Sequence, residues 1–111
     1  MTTATQLAAR LAALCGALLL GPVALADAAT DAAFAKSKNC LACHAIDKKV
    51  VGPAFKAVAD KYRQDPAALD RLALKVRQGG NGAWGVVYMP ANKTITPAQA
   101  RVLVDWVLSL K

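Results

Sequence analysis

The run Cys40-Leu41-Ala42-Cys43-His44 constrains this chain more than any other feature, because it sets two cysteines three residues apart and follows them with the only histidine. A bridge between Cys40 and Cys43 would close too short a loop to tie distant parts of the chain together, so these cysteines do not form a disulfide scaffold. The amount of chain left to build a core then becomes the next question. Residues 11–26 carry no charge. Arg10 precedes them, Gly21-Pro22 breaks them, and Ala24-Leu25-Ala26 places small residues where a signal peptidase cuts. A positive start, a short apolar stretch, a helix breaker and a small-x-small site are the parts of a secretory signal peptide, in order. A membrane-spanning helix needs about 20 apolar residues, and this run has 16 with a proline inside. Residues 1–26 are therefore expected to be a cleaved leader and residues 27–111 the working domain; a cut after Ala28 is the near alternative. Cys15 leaves with the leader, and the bulky Leu14 before it also makes it a poor lipidation site.

Part of the high mean hydropathy, +0.32, thus belongs to the leader. Arg10 is its only charge, so the 14 basic side chains fall to 13 against 7 acidic ones, and the net charge from +7 to +6. Removing 26 of 111 residues leaves 85. A domain of that size is marginal without a disulfide, a metal or a cofactor to complete its core.

The domain reads as helices joined by glycine- and proline-marked turns, with no internal repeat and no convincing alternating strand pattern. A first helix is expected from residue 30 or 31 to 39, with Phe34 as its main apolar contact. A second opens with Pro53 at the first helical position and sets Phe55, Val58, Ala59 and Tyr62 along one face. Asp65-Pro66 starts a third, carrying Leu69, Leu72 and Val76 until Gly79 stops it. Thr96-Pro97-Ala98-Gln99 is a capping box with proline at the first position. It opens a last helix with the stripe Val102, Leu103, Trp106, Val107 and Leu110. The stretch between Gly79 and Thr96 is irregular and too long to be an idle loop in so small a domain. Wrapping a bulky ligand would explain it.

C-x-x-C-H is the attachment signature of c-type haem. The spacing brings both sulfurs to one side of a tight helical turn, where each can add to a haem vinyl group. His44, next to the second sulfur, is then aimed at the iron. A thioredoxin-like dithiol would want a βαβ pattern around the cysteines, and a structural zinc site four ligands; neither is present in the sequence. A plain disulfide leaves His44 unexplained. With no second histidine, the sixth iron ligand falls to Met89, a lysine, a tyrosine or water. Met89 is favoured: it is the only methionine after the first residue, and it lies in the glycine-rich loop before Pro90, with no helical stripe to join. Histidine and methionine together raise the reduction potential and close the iron to other ligands, which suits electron transfer.

Cys40 to Asp47, Val51-Gly52-Pro53-Ala54, Gly82-Ala83-Trp84-Gly85, Met89-Pro90-Ala91-Asn92 and Trp106-Val107-Leu108-Ser109 together resemble the small bacterial monohaem class I cytochromes c, the cytochrome c-551 (c8) group. The resemblance runs almost the whole length of the mature chain. It implies an all-α class I cytochrome c fold, four or so short helices around one covalently bound haem c, with first and last helices crossing. It further implies that the Pro53 carbonyl orients His44, that Asn92 donates to the Met89 sulfur, and that Trp84 bonds a haem propionate. Lys75 stands where many relatives carry a propionate-binding arginine.

The expected role is a non-enzymatic periplasmic one-electron carrier, monomeric and without stable membrane insertion. By the same resemblance its donor would be a cytochrome bc1 complex, and its acceptor a terminal oxidase, a nitrite reductase or a cytochrome c peroxidase. Ala42, Val50, Val51, Val86 and Val87 would ring an exposed haem edge. Lys36, Lys38, Lys48, Lys49, Lys56, Lys61 and Lys93 either steer acidic partners or merely keep the surface solvated. Basicity alone would suggest nucleic acid; export and the haem motif argue against it. The competing readings are a haem enzyme or ligand sensor with a labile or absent sixth ligand, and a non-haem dithiol protein.

Overall fold

The computed structural model describes residues 28–111; the expected leader, residues 1–26, and Cys15 within it lie outside the described residues. Helix α1 spans Ala28–Ser37, two residues earlier than the sequence suggests. Ala35, fully buried, is its deepest contact, with Phe34 and Ala32 partly buried beside it. Asn39 follows in the left-handed conformation, φ 62°, a region that asparagine tolerates better than most side chains. The reversal leads directly into a single 3₁₀ turn, Cys40–Ala42.

Helix α2 runs Phe55–Tyr62 with Ala54 as its N-cap. Pro53 therefore precedes the helix instead of opening it. Ala54 has no side chain with which to cap, so the orphan N–H groups of the first turn need other partners. The Phe55 amide donates to the Ala45 carbonyl at 2.9 Å and the Lys56 amide to Ile46 at 3.1 Å. The loop after His44 thus caps α2 with backbone carbonyls.

Helix α3 spans Ala68–Gln78, later than the Asp65-Pro66 signal. A turn intervenes in which the Asp65 carboxylate accepts from the Ala67 amide at 2.9 Å, and its carbonyl from Ala68 at 3.1 Å. Asp65 still caps the segment, one turn ahead of the helix proper. At the other end Gly79 takes φ 71°. A Cβ there would overlap the backbone of Met89 and Ala91, so glycine both ends the helix and lets the following loop fold back onto it.

That loop is ordered as a hairpin, which corrects the expectation of no strands. Strands β1, Gly80–Gly82, and β2, Gly85–Met89, pair antiparallel with Gly80 opposite Met89 and Gly82 opposite Gly85. The register is irregular between Gly80 and Gly82. β1 is Gly-Asn-Gly, with no side-chain alternation to reveal it, and Gly82 and Gly85 take φ values of 103° and 106° that only glycine adopts readily. The helical class holds, with this small sheet added.

Helix α4, Pro97–Ser109, has the capping box as expected: Thr96 Oγ1 accepts from the Gln99 amide at 3.1 Å and Gln99 Oε1 from the Thr96 amide at 3.0 Å. It packs against α3, α2 and α1. Its inward face is Ala100, Leu103, Val104, Trp106 and Val107. Val102, expected in the stripe, is 54% exposed; the helical repeat puts Ala100, Leu103, Val104 and Val107 on one side and turns Val102 away. These residues join Ala35, Phe55, Ala73 and Ile95 in one core.

Candidate functional site

One wall of the site is the 3₁₀ turn. The His44 amide donates to the Cys40 carbonyl at 2.9 Å, and the Cys43 carbonyl accepts from Val51 and Gly52, at 3.0 and 2.7 Å. The loop is thereby folded back so that Gly52 and Pro53 lie against the histidine. His44 Nδ1 is 2.7 Å from the Pro53 carbonyl oxygen. A carbonyl can only accept, so Nδ1 carries the proton and Nε2 keeps its lone pair for a metal. The imidazole also stacks on Phe55, ring centroids 5.0 Å apart and planes 23° apart. Phe55 in turn meets the edge of Trp106 at 5.7 Å. Cys40 and Cys43 are both unbridged and half-buried. Burial pushes the Cys40 thiol up, with its backbone hydrogen bond pulling the other way.

The facing wall is the hairpin. Met89 ends β2, half-buried. Its segment is bolted down twice by Asn92, whose amide N–H donates to Val76 of α3 at 3.1 Å and whose Nδ2 donates to the Lys38 carbonyl at 3.2 Å. Lys38 lies two residues before Cys40, so Asn92 ties the Met89 segment to the cysteine turn. An amide nitrogen has a second hydrogen to offer; Asn92 Oδ1 accepts from Thr94. Far from Met89, the hairpin tip is held by Lys61, whose Nζ donates to Ala83 at 3.1 Å and sits 4.6 Å from the Trp84 ring centroid.

Between the walls lies a cavity of about 410 Å³, within the range of small-molecule and cofactor sites. Cys40, Cys43, His44, Pro53, Lys75, Trp84 and Met89 all line it. Its depths are apolar, from Phe55, Val58, Leu72, Val76, Leu103, Val104 and Val107, while Arg71, Lys75, Asn81 and Trp84 supply its polar groups. A flat apolar macrocycle with acidic substituents fits this lining: thiols at attachment spacing, one imidazole with a free lone pair, a thioether, greasy walls and a partly cationic polar set. Asn92 is the one expected site residue that is not among the lining.

Arg71 and Tyr62 are among the lining residues that the sequence does not assign to the site. Arg71 lies four residues before Lys75 on α3, hence on the same helix face, a signal that was present. It also pairs with Asp65 at 2.7 Å and lies 5.6 Å from the Tyr62 ring. Tyr62 was placed only on an apolar face, yet it lines the cavity beside Trp84, ring centroids 6.4 Å apart.

The family model for cytochrome c matches residues 28–111. The chain is 48% identical over 99 residues to cytochrome c-551 of Stutzerimonas stutzeri, covering 89% of this chain and 91% of that one. It is 46% identical over 84 residues to cytochrome c-552 of Nitrosomonas europaea, covering 76% and 82%. The crystal structure of wild-type Nitrosomonas europaea cytochrome c552 superposes with a TM-score of 0.70 at 46% identity, over 72% of this chain and 99% of that one.

Proposed function

The chain belongs to the cytochrome c family as a small class I monohaem electron carrier of the c-551 group with one covalently bound haem c, and on that premise we propose that it is a periplasmic one-electron shuttle between respiratory partners, with His44 and Met89 as the axial ligands. The observation that carries this reading is that Cys40, Cys43, His44 and Met89 line a single cavity. When bound, the haem supplies the redox chemistry, one electron gained or lost as its iron passes between Fe(III) and Fe(II).

The protein's own groups hold and tune. Cys40 and Cys43 tether through thioethers. The Pro53 carbonyl, accepting from Nδ1 at 2.7 Å, orients the His44 ring and raises its basicity. The Met89 thioether favours the ferrous state and so a higher potential. Asn92 anchors the Met89 segment through Val76 and Lys38, and its second amide hydrogen would be the one to serve the sulfur. Trp84 and Lys75 would serve the propionates, with Arg71 a second cation on the same lining.

Residues 1–26 act as the export leader in this reading. Among the described residues no helix is long and apolar enough to cross a membrane. Docking falls to the exposed apolar residues around the cavity. Val50 and Val51 are each 49% exposed and Val87 59%, with Lys48 and Lys49 exposed alongside. A small, brief contact of this kind suits rapid turnover. Lys56 is held by Asp47 at 2.6 Å and Lys61 lies over Trp84, so steering of an acidic partner rests more on Lys48 and Lys49 than on these two.

Met89→Ala tests the reading. It is expected to open the iron, allow the ferrous protein to bind carbon monoxide, and lower the potential by on the order of 0.1 V, a fraction of the ~0.8 V over which axial ligands set haem potentials. An unchanged potential removes Met89 from the iron. Ready carbon monoxide binding by the unaltered protein favours a ligand sensor or haem enzyme instead.

A further inference from the structure

We infer that Phe55 is a positioning residue that sets the plane of the His44 imidazole, and not merely a core side chain. The inference rests on His44 being an axial ligand, as proposed above. One hydrogen bond, from Nδ1 to the Pro53 oxygen at 2.7 Å, fixes a point of the ring but leaves the ring free to rock about the bond. A second constraint is needed to fix its plane. The Phe55 ring supplies it, stacked at 5.0 Å with only 23° between the planes.

Phe55 is itself held on all sides that matter. Its amide donates to the Ala45 carbonyl at 2.9 Å, one residue beyond His44. The residue is 6% exposed, and its ring meets Trp106 of α4 nearly edge-on, centroids 5.7 Å apart and planes 78° apart. Stacked and edge-on contacts are the two arrangements that aromatic pairs prefer. The series His44, Phe55, Trp106 therefore transmits the rigidity of α4 to the ligand. The plane of an axial imidazole determines which iron orbital it overlaps, so this contact acts on the electronic state of the site as well as on its stability.

The test compares holoprotein carrying Phe55→Leu, which keeps an apolar side chain without a plane, with Phe55→Tyr, which keeps the plane. Phe55→Met, an unbranched side chain that adapts to irregular space, replaces the leucine variant if that one does not mature. The readouts are the hyperfine-shifted haem methyl resonances of the ferric protein and the midpoint potential, with thermal melting alongside. The leucine or methionine variant is expected to alter the order or spread of the methyl resonances and to shift the potential, whereas the tyrosine variant keeps the wild-type pattern. A leucine or methionine variant that melts lower with unmoved methyl pattern and potential overturns the inference; so does a tyrosine variant as altered as the leucine one. Failure of the ligation reading looks different: the wild-type ferric spectrum itself would then lack shifted resonances from a histidine ring.

Discussion

Gly52→Ala probes how tightly His44, the proposed ligand, is packed. A Cβ built at Gly52 falls 2.5 Å from His44 Cε1, 2.9 Å from Nδ1 and 3.0 Å from Nε2, against 3.4–4 Å for ordinary contact. The shortfall is about 1 Å at the closest atom, by the close-packing expected of interiors. The ring cannot move that far freely, because Nδ1 is bonded to Pro53 at 2.7 Å and the ring is stacked on Phe55. Overpacking of a tight site costs about 1–3 kcal/mol, and a weakened histidine–carbonyl bond adds about 1 kcal/mol. Alanine recovers roughly 0.4–1 kcal/mol through the stiffer unfolded chain, which does not reverse the sign. The net loss is about 1–3.5 kcal/mol, or a melting temperature lower by roughly 4–28 °C for a domain of this size. Thermal melts of the ferric holoprotein followed by circular dichroism, paired with its midpoint potential, measure both consequences. Gly82→Ala is the control for backbone strain: its Cβ meets no protein atom within 4 Å but its φ is 103°, so it should destabilise without any clash against His44. A Gly52→Ala protein as stable as the wild type, with the same potential, would refute the argument.

Thr96→Ala removes half of the capping box and should cost about 1 kcal/mol, near 4–8 °C in melting temperature; an unshifted melt contradicts the role of that cap. Lys61→Met should loosen the hairpin tip, since an exposed cation–π contact is worth about 0.5–1 kcal/mol, and hydrogen exchange of the amides in residues 80–89 should quicken by a few-fold; protection equal to wild type rules out the tether. Asp65→Asn isolates a charge whose Arg71 partner, helped by the Ala67 amide, holds the carboxyl below its ordinary range. A depressed folded pKa gives stability that is present above the unfolded value near 3.9 and lost as pH falls through the folded one. Urea melts should therefore show Asp65→Asn weaker at pH 7 and the gap closing below about pH 4; a gap that widens in acid would reverse the assignment.

Residue type and short spacing alone specify several parts of this protein. Cys40, Cys43 and His44 specify covalent haem through a local turn, and Thr96 to Gln99 specify a helix start through bonds that close within three residues. Met89 is proposed as the sixth ligand because so few residues in the sequence compete for that place. Other features needed the tertiary structure, because they join segments far apart in the chain or depend on backbone instead of side chains. The β1–β2 hairpin is held by backbone pairing among glycines, which leave no pattern of alternation. Pro53 suits a first helical position, but α2 starts only at Phe55, capped by the Ala45 and Ile46 carbonyls, and the Pro53 carbonyl lies outside the helix where it accepts from His44, as the resemblance implies. Val102 and Val104 are equally apolar, and only the rotation of α4 against its neighbours buries one and exposes the other. Arg71 and Tyr62 reach the cavity, and Phe55 meets both His44 and Trp106, because α2, α3 and α4 converge there. Local sequence encodes which chemistry the chain carries; packing decides which side chains surround it and how firmly they hold it.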